Sequence, residues 1–154
     1  MTGNKLYLIN NFDADPQNDP SWVPEDHNQW FKPCFLDLVN LTYSGYWYSK
    51  QKDIENTHYH SGISSGIVLR GEMLLYYNGL QIHIHKNDNF LLLPHTKHSA
   101  ELLPDDRCFL FFGTVVGLTY YEDSEKRLDV SSYLDLVSEH YLKYKLPFDH
   151  LIKK

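Results

Sequence analysis

The chain has 154 residues, a length that one hydrophobic core commonly serves, so we expect a single domain. Its net charge is -6, from 14 Lys and Arg against 20 Asp and Glu, which makes nucleic acids and anionic membranes poor partners. No segment approaches the ~20 apolar residues that span a bilayer, and residues 1–10 lack the basic and apolar regions of a signal peptide. We therefore expect a cytoplasmic protein without nucleic-acid or membrane partners.

The composition favours a globular fold with an apolar interior. Hydrophobic residues make up 42% of the chain and aromatic residues 15%, which is enough to line both a core and a pocket. The only cysteines, Cys34 and Cys108, are far apart and form no CxxC pair. This spacing indicates reduced packing residues rather than a disulfide scaffold or a thiolate metal site.

Three regions differ in pattern along the chain. Residues 11–33 are rich in Asp, Asn and Pro, and with Trp22 and Trp30 they predict an irregular arm anchored by aromatic side chains. Short β-rich runs follow from about Leu36 to Val116, and the pattern changes again after Tyr121. We accordingly expect an N-terminal arm at 1–35, a barrel at 36–121 and a C-terminal helical extension at 122–154.

Within the barrel region the clearest element is a β-hairpin around Asn78-Gly79, because this pair supplies the two positive φ angles of a type I′ turn. Its strands are predicted at Met73–Tyr77 and Leu80–His85. Further strands are predicted at Leu41–Ser49, Gly66–Arg70, Asn89–Leu93 and Arg107–Val116, the last of them apolar on both faces. The pattern leaves no room for βαβ crossovers and therefore predicts an all-β sandwich or barrel.

One helix is predicted after the barrel. Ser131 or Ser132 can cap its N-terminus. We expect the helix to pack on the barrel through one apolar face, formed by Leu134, Val137, Tyr141 and Leu142.

Two histidine pairs have the HxH spacing. In a strand, His58 and His60 project from the same face and can both coordinate one ion. His83 and His85 have the same spacing. The two pairs differ in context, because Ile82 and Ile84 alternate with the second pair and are expected to take the core face. The second pair is therefore expected on the outside of the barrel.

The residues that follow His58-Tyr-His60 distinguish the pairs further. A Val68-Leu-Arg-Gly71 turn, the hairpin and Pro94-His-Thr-Lys-His98 come in this order, which resembles the two-part signature of the cupin family. The resemblance implies a single-domain jelly-roll barrel in which His58, His60 and His98 hold one divalent metal ion. It places no ligand in the hairpin, where His83 and His85 lie.

Within the cupins the chain is most similar to the branch of 2,4′-dihydroxyacetophenone dioxygenase, acetylacetone-cleaving dioxygenase and the cupin domain of the anti-sigma factor ChrR. The matching pieces cover about residues 20–121 and include Ser21-Trp-Val-Pro24 and the closing 112–121 segment. Cupins usually carry a Glu after the HxH pair, whereas Ser64 or Ser65 occupies that region here. A hydroxyl is a poor substitute for a carboxylate ligand. Because the dioxygenase-like relatives use an all-histidine Fe(II) site, the missing Glu agrees with this branch.

Three neutral imidazoles leave a divalent ion its full charge and two or three open positions. The resemblance implies an Fe(II)-dependent dioxygenase that cleaves a carbon-carbon bond of a small diketone or hydroxyketone with O₂, with Zn or Mn as other possible ions. Two alternatives stay open: a non-catalytic metal-binding sensor or ligand-binding module like the ChrR cupin domain, and a Zn or Mn isomerase or hydrolase. The sequence identifies no catalytic residue, and the arm and helix offer surfaces for a homodimer.

Several other side chains are candidates around the ion, each with a plainer structural explanation. Arg70 could balance an anionic substrate, His95 could serve as a fourth ligand or proton shuttle, and Glu72 and Glu101 could orient a ligand histidine. An ordinary strand-end or turn position is the preferred explanation for each of these. Aromatic side chains are also expected to line the pocket, although the sequence does not fix which face of each strand points inward. The candidates are Tyr46, Tyr48, Tyr76 or Tyr77, and one or two of Phe109, Phe111 and Phe112.

Overall fold

The computed structural model describes residues 16–25, 29–50, 53–54, 56–103, 108–123 and 127–153, with the backbone alone described at 53–54. Within these ranges the regular structure consists of fourteen strands and one α-helix, with short 3-10 helices at Pro16–Asn18 and Asp149–Leu151. In chain order they are β1 (Val23–Pro24), β2 (Gln29–Asp37), β3 (Thr42–Ser49), β4 (Asp53–Ile54), β5 (His58–His60), β6 (Ser64–Arg70), β7 (Glu72–Tyr77), β8 (Leu80–Ile84), β9 (Asn89–Leu92), β10 (His98–Leu103), β11 (Phe109–Val116), β12 (Thr119–Tyr121), β13 (Arg127–Leu128), α1 (Val130–Lys143) and β14 (Ile152–Lys153).

The strands form two sheets of seven. The first has the order β1-β2-β3-β11-β6-β9, and the second has the order β13-β12-β5-β10-β7-β8. All pairs are antiparallel except that of β14 with β2, while β4 joins the second sheet beside β10. The all-β jelly-roll class with a C-terminal helix is therefore confirmed. No helix in the described residues is long and apolar enough to cross a bilayer.

The predicted hairpin is confirmed both in its position and in the backbone conformation of its turn. Asn78 and Gly79 have φ angles of 49° and 78°, and the register joins Tyr77 to Leu80 across the turn. The other predicted strands are present with boundaries shifted by one or two residues. The predicted start at Arg107 lies outside the described residues.

The predicted boundary between arm and barrel falls inside a strand. β2 runs from Gln29 to Asp37 and pairs with β3 along its whole length, so the first sheet begins before residue 36. The expected aromatic anchors do pack on this sheet, because the rings of Trp22 and Trp30 meet Tyr48 edge-on at 5.9 and 5.8 Å. The C-terminal residues also return to the sheet through β14, which pairs with β2.

The helix begins differently from the prediction. Asp129, and neither Ser131 nor Ser132, is the N-cap: its carboxylate accepts from the Ser132 backbone N–H at 3.0 Å, and the Ser132 hydroxyl completes a capping box. The buried face of the helix consists of Val130, Val137 and Tyr141, with Leu134 partly buried beside them. Leu142, predicted on this face, is 67% exposed because it lies about 100° around the helix from Tyr141.

The core has two main parts. One lies between helix and sheet and includes Phe31, Leu36 and Val137, all fully buried. The other lies between the two sheets around Val68, with Phe109 fully buried beside it. The predicted burial of Cys108 is confirmed and Cys34 is half-buried; the two cysteines, both within the described residues, form no disulfide.

Gly117, in the turn between β11 and β12, is expected to be a sensitive position for stability. Its φ is +81°, and an added Cβ would lie 2.1 Å from the Ser61 hydroxyl, which accepts from the Leu118 N–H at 2.8 Å. We expect Gly117→Ala to lower the free energy of unfolding by about 2–4 kcal/mol, from backbone strain plus overpacking. Gly79 has a similar φ of +78° with nothing within 4 Å, so Gly79→Ala should cost only about 1 kcal/mol of strain. Equal urea midpoints for the two variants would contradict this explanation.

Candidate metal centre

The three predicted histidines converge in the structure. His58 and His60 lie on β5 and project from one face, and β10 pairs with β5 so that His98 stands directly opposite His58. All three are buried, with 3, 6 and 4% of their surface exposed. One ligand atom of each lies within 4.8 Å of those of the other two. Two ligands about 2.1 Å from one ion are separated by about 3–4 Å, so only small side-chain movements are needed to bind it.

Each ring is held through its Nδ1 atom. The carbonyl oxygens of Asn56 and Thr96 accept hydrogen bonds from Nδ1 of His58 and His98, at 2.8 and 2.9 Å. A carbonyl can only accept, so the proton of these rings is on Nδ1 and the lone pair is on Nε2. Thr119 stands opposite His60 in the β12–β5 register, and its Oγ1 lies 2.8 Å from His60 Nδ1. This arrangement leaves Nε2 as the ligand atom of all three rings.

The electrostatics keep two of these rings neutral. Burial, together with the neighbouring rings of His58 and His98, lowers the pKa of His60 to about 3. Burial and the His58 ring lower the pKa of His98 to about 4, although the hydrogen bond to Thr96 opposes this shift. An ordinary histidine titrates near 6.5, so His60 and His98 are neutral at pH 7 in the state that binds metals.

The hydroxyl of Thr119 gives a test of this arrangement. Thr119→Val keeps the shape of the side chain but removes the hydrogen-bond partner of His60. We expect the affinity for a divalent metal to fall about 10- to 100-fold, as for other partners that orient metal-binding histidines. Thr119→Ser keeps the hydroxyl and is the matched control, expected to stay within a few-fold of wild type in a competition titration with a chelator. Equal affinity for the Val and Ser variants would show that the hydrogen bond does not orient the ring.

No carboxylate joins the triad among the residues that the structure describes. Ser64 is buried on β6, and both Ser64 and Ser65 line the same cavity as the histidines. The chemistry of the donor set therefore fits a divalent transition metal, since neutral imidazole suits Fe, Zn and Cu. His58, His60 and His98 would hold such an ion.

The cavity that contains the triad has a volume of about 670 Å³. Its walls come from both sheets and are largely apolar, with Trp47 stacked on Phe111 at 5.2 Å. Residues of β1, β2 and α1 also line it, so the N-terminal segment and the helix both border the interior. Among the described lining residues Glu25 is the only carboxylate.

The aromatic lining was predicted in part. Of the candidates, the cavity is lined by Tyr48, Phe109 and Phe111. Tyr46 packs on Phe112 instead, Tyr76 is 37% exposed on the outer face, and Tyr77 lines a shallower surface depression. The remaining aromatic lining residues, none of them among the candidates, are Tyr43, Trp47, Phe90, Tyr121 and Tyr133.

The candidate orienting carboxylates are located elsewhere. Glu72 lies 2.6 Å from His83 Nε2, and Glu101 accepts a hydrogen bond from the Tyr76 hydroxyl at 3.1 Å. The Nδ1 partners of the triad are instead two carbonyls and a threonine hydroxyl, and of these only the threonine could be read from residue type. Both glutamates alternate with inward-facing neighbours on their strands, which is why they miss the interior.

The other candidates also lie outside the cluster. Arg70 is half-buried at the end of β6 and does not line the cavity. His95 is exposed in a left-handed turn with φ 60°, and it is not part of the metal-binding group. His83 and His85 lie outside the barrel as predicted, with Ile84 buried beneath them, although Ile82 is 41% exposed.

Comparison with known proteins agrees with this architecture. Residues 45–116 match the family described as the AraC-like ligand binding domain. An RmlC-like cupin protein from Ralstonia eutropha superposes with a TM-score of 0.72 at 14% identity, over 82% of this chain and 84% of that one. The fold is a cupin barrel. No curated protein matches the sequence.

Two further cupin structures are similar over most of their length. An acetylacetone dioxygenase from Acinetobacter johnsonii has a TM-score of 0.67 at 12% identity, covering 91% of this chain and 99% of that one. A second Ralstonia eutropha protein with a cupin-like fold has a TM-score of 0.66 at 13% identity, covering 77% and 76%. At these identities the likeness concerns the cupin fold, which the sequence predicted.

Proposed function

We propose that this cupin is an Fe(II)-dependent dioxygenase that cleaves a carbon-carbon bond of a small diketone or hydroxyketone with O₂. The observation that carries the proposal is the donor set: three buried imidazoles, with no carboxylate among the described residues, at the wall of a largely apolar cavity. A neutral donor set favours an anionic ligand such as an enolate, because the enolate supplies the charge that a carboxylate ligand would otherwise supply. The acetylacetone dioxygenase of similar fold supports the same substrate class.

The residues of this chain would bind and orient such a substrate. The stacked Trp47 and Phe111 present a flat apolar surface to the cavity, and Phe90 lies 6.2 Å from Phe111. Apolar walls of this kind limit the access of water to the reacting groups and so reduce side reactions. The hydroxyls of Ser64, Ser65 and Thr114 are the polar side-chain groups from β6 and β11 that line the cavity. When bound, Fe(II) supplies the Lewis acidity and the reaction with O₂ that the side chains themselves lack.

A non-catalytic ligand-binding module is the second candidate. The match of residues 45–116 to the AraC-like ligand binding domain favours it, since this range spans all three histidines. The cavity of about 670 Å³ is large enough for a small effector. In this case the metal would anchor the ligand without turnover.

Oxygen consumption separates the two candidates. The Fe(II)-loaded protein is supplied with acetylacetone or 2,4′-dihydroxyacetophenone, O₂ uptake is recorded, and products formed under ¹⁸O₂ are analysed. The proposal predicts substrate-dependent uptake with label in both cleavage fragments. The Zn-loaded protein is the matched control, because it keeps the site but lacks the redox chemistry. Tight ligand binding without uptake in the Fe(II) form would favour the module.

A further inference from the structure

A second group of metal-ligand side chains lies on the outer face of the β7–β8 hairpin. His83 on β8 and His85 directly after it are exposed, and Glu72 lies on the neighbouring strand β7, whose residue Leu74 pairs with His83. Glu72 Oε2 is 2.6 Å from His83 Nε2, and the two imidazole centroids are 4.1 Å apart. One ligand atom of each residue lies within 4.8 Å of those of the other two.

We propose that Glu72, His83 and His85 form a second divalent-metal site, independent of the triad. Two imidazoles and a carboxylate are a donor set that binds Zn²⁺, Ni²⁺ and Cu²⁺, and the site keeps at least one position open to solvent. The spacing follows from strand geometry, because alternate residues of β8 and a diagonal neighbour on β7 share one face. The sequence placed these histidines outside the barrel, and the paired strand supplies the third ligand.

Asp88 holds one ligand of this site in place. Its Oδ2 accepts the backbone N–H of His85 at 2.8 Å and lies 3.6 Å from His85 Nδ1. The carboxylate therefore fixes the backbone at His85 from the side of the β8–β9 turn, and it lies close to the ring without a hydrogen bond to it. Glu72, on the other strand, provides the ligand that crosses between β7 and β8.

The two centres lie on opposite faces of the same sheet. Met73 and Leu75, the residues that alternate with Glu72 and Leu74 on β7, are buried and line the cavity of the triad. None of Glu72, His83 and His85 lines that cavity, and both histidines are exposed on the outer face. Because β8 is the last strand of its sheet, an ion held by Glu72, His83 and His85 would cross-link this edge to β7. Zinc binding there is expected to raise the unfolding temperature of the whole chain.

Calorimetric titration of the metal-free full chain with Zn²⁺ tests the proposal. Wild type is expected to show two binding events, and the His83→Ala/His85→Ala variant only the event of the triad, with unchanged affinity. His98→Ala should lose the event of the triad and keep the event of the outer site. The event that each variant retains demonstrates that it is folded. The matched control is His150→Ala, which removes an exposed histidine from the 3-10 helix at Asp149–Leu151 and should keep both events.

A conservative substitution tests whether the carboxylate of Glu72 is a ligand of the outer site. Glu72→Gln preserves size and should weaken the outer event at least tenfold while leaving the triad event unchanged. Histidine ring NMR signals provide an independent measurement, since His83 and His85 should shift together with the outer event. A single binding event in wild type, or two events of wild-type affinity in the His83→Ala/His85→Ala variant, would overturn the second site.

Discussion

Replacing His98 with alanine is expected to abolish retention of the ion in the barrel and, with it, any O₂ consumption. Removing a group that only orients a metal-binding histidine costs about 10- to 100-fold in affinity, so loss of a ligand should cost more than about 100-fold. His58→Ala and His60→Ala are expected to behave alike, since each also removes one of the three buried imidazoles of the group. Metal analysis after dialysis against a weak chelator measures the loss.

His95 offers a matched control for this experiment. It lies three residues before His98 in the same turn, is exposed and is outside the metal-binding group. Asn is the suitable replacement because it tolerates the φ of 60° that this position requires. His95→Asn should retain the ion at wild-type affinity. Equal metal loss in both variants would mean that the turn, rather than ligation by His98, explains the effect.

The metal-free protein is expected to lose stability as the pH falls from 7 to 5. The pKa values of His60 and His98 are lowered to about 3 and about 4 in the folded state, against about 6.5 in the unfolded chain. Between these values the unfolded chain binds more protons, so the free energy of unfolding decreases as the pH falls. Over this interval the expected loss is on the order of 2–4 kcal/mol.

Urea unfolding of metal-free protein at pH 7 and pH 5 measures this loss. Ordinary carboxylates titrate mainly below this window, which separates their contribution from that of the histidines. A His60→Asn variant lacks one of the two imidazoles whose pKa is lowered, and it should lose only about half as much stability over the same interval. Parallel pH profiles for the variant and wild type would contradict neutral burial of His60.

The local elements were predictable because local chemistry determines them. Asn78-Gly79 specifies a turn with two positive φ angles whatever lies around it, and the structure has this turn. The predicted N-cap at Ser131 or Ser132 was wrong, because the Asp129 carboxylate accepts from the Ser132 backbone N–H and forms a capping box with Ser132. Leu142 then fell outside the buried face, since that face depends on where the helix meets the sheet.

The triad could be predicted only through its resemblance to a family pattern. Spacing alone placed His58 and His60 on one face, whereas His98 is 38 residues beyond His60 and reaches it through the β10–β5 pairing. The partner of His60, Thr119, is 59 residues away and depends on the β12 register. Trp47 was missed as a cavity residue for a related reason. Successive residues of a strand face opposite sides, so an error of one position predicts Tyr46 in the cavity instead of Trp47.

The most direct test of the buried centre is to locate the ion itself. A crystal of Fe(II)-loaded protein, with anomalous diffraction measured at the iron edge, should show one strong peak about 2.0–2.2 Å from Nε2 of His58, His60 and His98. Iron held only by the outer group of Glu72, His83 and His85, with the triad occupied by water, would contradict this assignment.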